Sequence, residues 1–414
     1  MLGRLPGAVN TGGCCTPLMF PASSESRETF VESHDEIVTN FATRSGVSSC
    51  KTSPGTRNIA MTSSKRQSWR WAAIVSALVL SGLLGGVQLF RGGTRPNRGE
   101  HKFTGVVMAS DYHLTLTGKL PCDPATAHEA VFQKLTRIDA LMSTYKEDSD
   151  VSKLNLAPPG EWVPLSPETF QILQAARIVG EKTEGAYDLT VGPLVNLWGF
   201  GPEHRPATAP SELEISEARK KVGWDKLEIR NDPASARRLA EGVYVDLSSI
   251  AQGFAVDEAA KDLEEMGVTD YCLDLSGDIR SRGLNGRGLP WRIAIESPRD
   301  ERHVVQRIVS LSGMSLTTSG DYRNYFEEGG VRYSHIIDPR TGSPITHRLA
   351  SVTVVDPSCT RADAWDTALL ALGPEKGLAL AERENLAAFF IIRTKSGFEE
   401  RQTSRFAPLL KPEP

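Results

Sequence analysis

Residues 361–373 read RADAWDTALLALG. The spacing is helical: Trp365, Ala368, Leu369 and Leu372 mark an apolar side to be packed. Gly373-Pro374 ends the run, because Gly tolerates a left-handed cap and Pro cannot continue the ladder. Asp363 and Thr367 are four residues apart and stand one above the other on a single face. A carboxylate and a hydroxyl on one turn offer two hard oxygens, the donors that Mg²⁺ prefers. On an isolated helix the same pair would be an ordinary solvated face, so its meaning depends on the rest of the chain.

Strands and helices surround this run without a strict βαβ rhythm. Upstream, 350–355 reads as a strand; downstream, a helix from Pro374 precedes a strand at 387–393. Further strands are expected at 103–108, 113–119, 244–247, 271–275, 291–296, 304–311, 315–318 and 331–337. A turn at Ser110-Asp111 joins the first two. Helices are expected at 124–142, 166–184 and 250–266, the second capped by Ser166. Residues 142–155 read as a polar turn region, and 186–201 as an ordered loop broken by glycine and proline. Residues 204–210 read as a surface excursion. This mixture predicts an α+β fold, with mixed or antiparallel sheets and packed helices, over residues 103–410.

The preceding hundred residues differ in kind. Residues 1–60 are rich in Ser, Thr, Gly and Pro without a sustained period, and read as a disordered or non-native extension. After Met61 comes a basic flank, 61–70, with Lys65, Arg66 and Arg70. Residues 71–90, WAAIVSALVLSGLLGGVQLF, are twenty residues without a charge, long enough to cross a bilayer. The cationic flank favours a cytoplasmic N-terminus, so a single-pass inner-membrane anchor with the folded domain on the periplasmic side is expected. Residues 91–102 read as a linker.

A net charge of −4 offers no basic surface for nucleic acid. The six cysteines, at 14, 15, 50, 122, 272 and 359, form no CxxC pair, which argues against a zinc site or a disulfide framework. No GxGxxG follows a strand, and HExxH and GxSxG are absent. Four turn regions carry the remaining polar signal. VDLSSIAQGFAVD (245–257) delivers Asp246 to a strand end and opens a helix at Ser248-Ser249, where unpaired backbone groups and Gln252 can meet an anion or a metal. LDLSGDIRSRG (273–283) puts Gly277 and Asp278 at a turn. In 317–345, Thr317, Thr318 and Ser319 form a polar bend, and His335 and Asp338 flank Ile336-Ile337. A His beside a metal-bound diphosphate is a natural general base, active in its neutral form. The fourth region is the opening helix itself.

Seven motifs occur in the order MSTYK, GAYDLTVGPLVNLWGFG, VDLSSIAQGFAVD, SGDI, TTSGDYRNY, YSHIIDPRTGSPI and ADAWDTALLALG. In that order the chain resembles the ApbE family of FAD:protein FMN transferases from about Phe103 to about Phe406. The resemblance implies an α+β fold and a Mg²⁺-dependent cleavage of FAD as substrate. FMN passes to a Thr hydroxyl of an acceptor flavoprotein, such as a subunit of a membrane redox complex, as a phosphoester, and AMP leaves. It further implies that Asp363, Thr367 and the carbonyl of Ser249 hold the metal. Met108, Tyr145, Ala186, Tyr187, Asp188, Asp246, Gln252 and Ile337 would contact the flavin nucleotide, with His335 as the base and Asp338 as the next candidate. Two departures stand out: Gln252 occupies a position where many members carry Lys or Glu, and no lipid-accepting Cys follows the apolar run. The same residues also suit an FAD pyrophosphatase that passes FMN to water, or a flavin-binding protein without turnover.

Overall fold

The strand β16 (Ala387–Thr394) shows how the core is built. Ala388, Phe390 and Ile392 enter one apolar cluster, and Ala387, Phe389 and Ile391 enter another. A strand covered on both faces reads as an unbroken apolar run, because both sets of alternate side chains leave water. With strands numbered in chain order, β16 lies in an eight-stranded sheet. Its spatial order is β1 (Glu100–Val107), β2 (Ser110–Thr117), β6 (Tyr271–Leu275), β7 (Asp278–Arg282), β10 (Met314–Gly320), β15 (Leu349–Asp356), β16 and β17 (Gly397–Gln402). Every neighbouring pair is antiparallel. This computed structural model describes residues 98–202, 209–299 and 304–410. The extension, the basic flank, the apolar run 71–90 and residues 204–208 of the expected excursion lie outside them. Among the described residues, no helix is long and apolar enough to cross a membrane.

Four helices cover the first face of the sheet: α1 (Pro124–Met142), α6 (Ala251–Glu265), α7 (Cys359–Leu372) and α8 (Pro374–Arg383). Helix α1 buries Ala127, Val131, Leu135, Ile138 and Met142, the stripe its sequence predicts. Each large apolar side chain so buried stabilises the fold by about 1.5–3 kcal/mol. The hairpin of β8 (Trp291–Glu296) and β9 (Val305–Leu311), together with Phe406, covers the second face. Helices α2 (Asp150–Leu156) and α3 (Pro167–Lys182) flank a small sheet of β3 (Val163–Pro164), β5 (Ala234–Arg238) and β4 (Leu227–Asn231). Ser166 caps α3 by accepting from the Thr169 N–H at 3.2 Å.

A third apolar cluster forms a satellite beside the sheet. It joins α4 (Gly192–Leu197), α5 (Glu212–Arg219), the hairpin β11 (Tyr325–Glu328)–β12 (Val331–Ser334) and the short pair β13 (Ile337–Asp338)–β14 (Ser343–Pro344). Leu194, Trp198, Ile215 and Ile337 are its buried centre. Trp198 is tied down by its Nε1–H, which donates to the Gly342 carbonyl at 2.9 Å.

Several expectations are corrected. The β1–β2 turn is Met108-Ala109, both at positive φ (52° and 54°), and Ser110-Asp111 already belong to β2. Two-residue hairpins demand that conformation. The polar region 142–155 contains most of α2, and the loop 186–201 contains α4. Residues 244–247 form no ladder; Tyr244 makes one isolated bridge to Val191. The bend expected at Thr317–Ser319 is interior to β10, and the expected strand 331–337 is split between β12 and β13. Helix α6 starts at Ala251, after the Ser248-Ser249 turn, and α7 starts at Cys359 rather than near Ala362. The linker ends early, since β1 begins at Glu100.

Candidate active site

Helix α7 has no broad solvated face. Ala362, Asp363, Trp365, Asp366, Ala368, Leu369 and Leu370 are all buried, whereas Leu372, expected on the packed side, is only half-buried. It lies over β10 and β15, between α6 and α8 (Pro374–Arg383). Gly253 makes the contact with α6 close: a Cβ there would stand 2.7 Å from both the Asp363 Cβ and the Cys359 carbonyl oxygen. The Gly253 N–H donates to Asp363 Oδ2 at 2.9 Å. Asp363 therefore reaches the site from within the helix layer and is oriented by a backbone donor.

A cavity of about 330 Å³ opens between this layer and the satellite. Asp363, Asp366 and Thr367 line it from α7, and Asp246, Ser248, Ser249 and Gln252 from the approach to α6. Ser110, Ser276 and Asp278 line it from strand ends, Thr318 and Ser319 from β10, and Ala186, Tyr187 and Asp188 from the loop before α4. His335, Ile336 and Ile337 close the satellite side. Of the residues expected at the site, Ala186, Tyr187, Asp188, Asp246, Ser249, Gln252, His335, Ile337, Asp363 and Thr367 are thus brought together.

Three expected residues are not on that wall. Met108 is in the β1–β2 turn, half-buried against the main core. Tyr145 is 73% exposed; partial desolvation, and then the charge of Asp246, raise its phenol pKa. Asp338 is occupied elsewhere: its carboxylate accepts from Arg340 N, Nε and Nη2 at 2.8–2.9 Å. It staples the turn after β13, and with its oxygens taken by Arg340 it is not presented to the cavity as a base.

The cavity is strongly polar. Burial pushes the Tyr187 phenol well up; a hydrogen bond with Ser249 opposes this, and Asp363, Asp366 and Asp246 add to it. Tyr187 and the carboxylates of Asp246, Asp363 and Asp366 all line the same cavity. Tyr187 Oη accepts from Ser249 Oγ at 3.1 Å and lies 3.5 Å from the Ser249 carbonyl oxygen. Asp246 Oδ1 accepts from the Ser248 N–H at 2.8 Å and shapes the turn that presents that carbonyl. Asp188 is raised by burial, against hydrogen bonds from Thr190 at 2.7 and 2.8 Å that hold the loop. Gln252 Nε2 donates to Ser110 Oγ at 3.0 Å, joining α6 to β2.

Asp366 is the site residue that the sequence reading missed. It is 1% exposed, and burial, then the charge of Asp363, drives its pKa well up. Ser319 Oγ donates to its Oδ1 at 2.9 Å and is 2.9 Å from Thr367 Oγ1. Its signal was available as the i, i+3 spacing from Asp363. His335 pairs through Nδ1 with the Asn324 carbonyl at 3.0 Å, and Phe200 meets its ring edge-on at 6.3 Å. A carbonyl only accepts, so the proton is assigned to Nδ1 and the lone pair to Nε2 in the neutral ring. Cys122, Cys272 and Cys359 are free thiols, and burial raises the pKa of the latter two.

Fold and site together define an α+β protein with a carboxylate- and hydroxyl-lined cavity between an antiparallel sheet's helix layer and an aromatic satellite. The chain belongs to the ApbE family, whose model matches residues 108–390. It is 41% identical over 328 residues to an FAD:protein FMN transferase of Vibrio cholerae, covering 79% of this chain and 97% of that protein. Against an FAD:protein FMN transferase of Escherichia coli (strain K12) it is 40% identical over 308 residues, 74% of this chain and 88% of that one. The solved flavin transferase ApbE from Vibrio cholerae superposes with a TM-score of 0.71 at 40% identity, covering 75% of this chain and 99% of that chain. The family expected from the seven ordered motifs is the one found.

Proposed function

We propose that this chain, a transferase by family, is an FAD:protein FMN transferase that uses Mg²⁺ to split FAD and attaches FMN to a Thr hydroxyl of an acceptor flavoprotein, releasing AMP. One observation carries the reading: Asp363, Asp366, Thr367 and Ser249 line the same cavity as His335. The donor set fits a hard cation. Among the described residues, no three His, Cys, Asp or Glu side chains gather as a metal-binding group. The oxygens on offer are instead carboxylate, hydroxyl and carbonyl, and a Mg²⁺ ion that keeps several waters needs only one or two carboxylates. The raised Asp366 carboxyl supports this fit, since two buried acids side by side are a site for positive charge.

Asp363, Thr367 and the Ser249 carbonyl would hold the ion, which offsets diphosphate charge when bound. The protein's own groups do the rest. His335 Nε2 accepts the proton of the acceptor Thr hydroxyl, while the Asn324 carbonyl holds the ring through Nδ1. The Thr oxygen–phosphorus bond forms as the bond from that phosphorus to the AMP oxygen breaks. Tyr187, kept protonated by burial, orients the Ser249 turn. We further propose that residues 71–90 anchor the protein in the inner membrane with the domain on the periplasmic side; twenty uncharged residues behind three cations support this.

The variant His335→Asn tests the base. It is expected to retain FAD and Mg²⁺ binding and to lose transfer to an acceptor by about a hundredfold or more. A well-folded variant with undiminished single-turnover transfer would exclude His335. Equal release of FMN and AMP with and without an acceptor would instead identify a pyrophosphatase.

A further inference from the structure

The motif VDLSSIAQGFAVD ends in a residue to which the site gives no role. Asp257 does not line the cavity, yet its carboxylate receives five donors. Oδ2 accepts from Ser358 Oγ at 2.7 Å, Thr360 Oγ1 at 2.8 Å and Thr360 N at 2.9 Å. Oδ1 accepts from Cys359 N at 2.9 Å and Arg280 Nη1 at 3.1 Å. The first two N–H groups of α7, which no intrahelical carbonyl can satisfy, are therefore taken by a side chain from α6. Ser358 accepts the third, from Arg361, at 3.3 Å.

The spacing gives this contact its meaning. Gly253 and Asp257 are four residues apart and share one face of α6; Cys359 and Asp363 are four apart and share one face of α7. Gly253 N–H bonds Asp363, and Asp257 bonds Cys359 N–H. The two helices are thus joined by two contacts one turn apart, running in opposite sense along each. Neither sliding nor rotation of α7 keeps both. Gly253 closes the gap without a side chain, and Asp257 supplies the charged bonds that fix the register.

We propose that Asp257 is a positioning residue: it sets the axial position of α7 and thereby the alignment of Asp363 and Thr367 for a divalent cation. The inference rests on the reading of Asp363 and Thr367 as the Mg²⁺ locus. A residue that only caps a helix would affect stability; a positioning residue also moves metal affinity, as outer partners of ligands do. Arg280 anchors the carboxylate from the other side by bonding Glu264 and the Pro357 carbonyl as well.

The test uses the full-length protein, calorimetric titration with Mg²⁺ alone, and thermal unfolding. Wild type is expected to bind Mg²⁺ saturably and Asp363→Ala to lose that binding. Asp257→Asn should weaken Mg²⁺ binding about tenfold, and Thr360→Val, which removes one of the five donors, about threefold. Thr403→Val removes a buried hydroxyl that bonds Leu386 and Ala388 and no residue of α7. It should lower Tm and leave the Mg²⁺ dissociation constant unchanged. An Asp257→Asn protein with lowered Tm but wild-type Mg²⁺ affinity would reduce Asp257 to a cap and overturn the proposal. If that variant does not fold, unchanged affinity in Thr360→Val overturns it instead. Unchanged Mg²⁺ binding in Asp363→Ala would overturn the metal reading itself, and this inference with it.

Discussion

At the scale of single residues, burial decides what each carboxylate can do. Asp363 has a backbone donor and lines the cavity; Asp338, one turn region away from His335, has spent its oxygens on Arg340. Asp363→Ala is therefore expected to abolish measurable Mg²⁺ binding and AMP release together. Thr367→Ala, where water can replace a neutral ligand, should cost about tenfold in Mg²⁺ affinity. Near-normal turnover by Asp363→Ala at low Mg²⁺ would show that the ion sits elsewhere. Asp274, on β6, carries a second kind of consequence. It is 1% exposed, and burial raises its pKa to about 7, against a hydrogen bond from Gly277 N–H at 2.9 Å. A carboxyl raised in the folded state stabilises the protein fully below its unfolded pKa of about 4, and that contribution is lost as pH rises through about 7. Asp274→Asn cannot titrate. Urea unfolding of both proteins at pH 5 and pH 8 should show wild type losing about 2–3 kcal/mol relative to the variant. Parallel behaviour of the two would show that the carboxyl is ionised throughout.

At the scale of elements, glycine and helix register set the site. The chain needs Gly253 because α6 and α7 touch there, and a Cβ would meet a backbone oxygen that cannot yield cheaply. Gly253→Ala is predicted to destabilise the fold by about 1–3 kcal/mol. It should also weaken Mg²⁺ binding, since the shift falls on Asp363; chemical denaturation and a Mg²⁺ titration read the two effects separately. The same level explains what was legible in the sequence. Helix α1 could be read residue by residue, because its stripe faces one sheet and its other side faces water. Helix α7 could be located, and Trp365, Ala368 and Leu369 of its expected packed side are buried. Packed on nearly every side, it carries no single apolar stripe, and Asp363 and Asp366 also lie inside the protein. Segment 244–247 has the composition of a strand but runs where no ladder partner lies, so composition alone misleads. The motif residues from Asp246 to Gln252 were found because turn chemistry is local. Asp257 was not assigned a role because four of its five donors lie about a hundred residues away.

At the scale of the whole molecule, the boundary between the folded domain and the preceding chain is testable to within a few residues. The sequence suggests a start near Phe103, but the structure is tied down earlier. Arg98 makes a two-pronged pair with Asp270 at 3.0 and 3.1 Å, and its N–H donates to the Gly286 carbonyl at 3.0 Å. Glu100, His101 and Lys102 then pair with Thr117, Leu116 and Thr115 across β1 and β2. Both members of the Arg98 pair are largely shielded from solvent, so the pair contributes to stability beyond a loose surface contact. The anchor proposed for residues 71–90 ends only a short polar stretch before this point. The full-length chain is expected to sediment with membranes. A chain shortened to begin at Arg98 should be soluble and turn over FAD as fast as the full-length protein. One shortened to begin at Phe103 should lose the Arg98 pair and the first rungs of β1, and melt at least about 2 °C lower. Membrane fractionation, thermal unfolding and FAD turnover on the three chains separate the claims. Recovery of the full-length protein in the soluble fraction would remove the anchor. Equal melting of the two shortened chains would move the domain boundary back to Phe103, and loss of activity on shortening to Arg98 would give the preceding residues a part in the site.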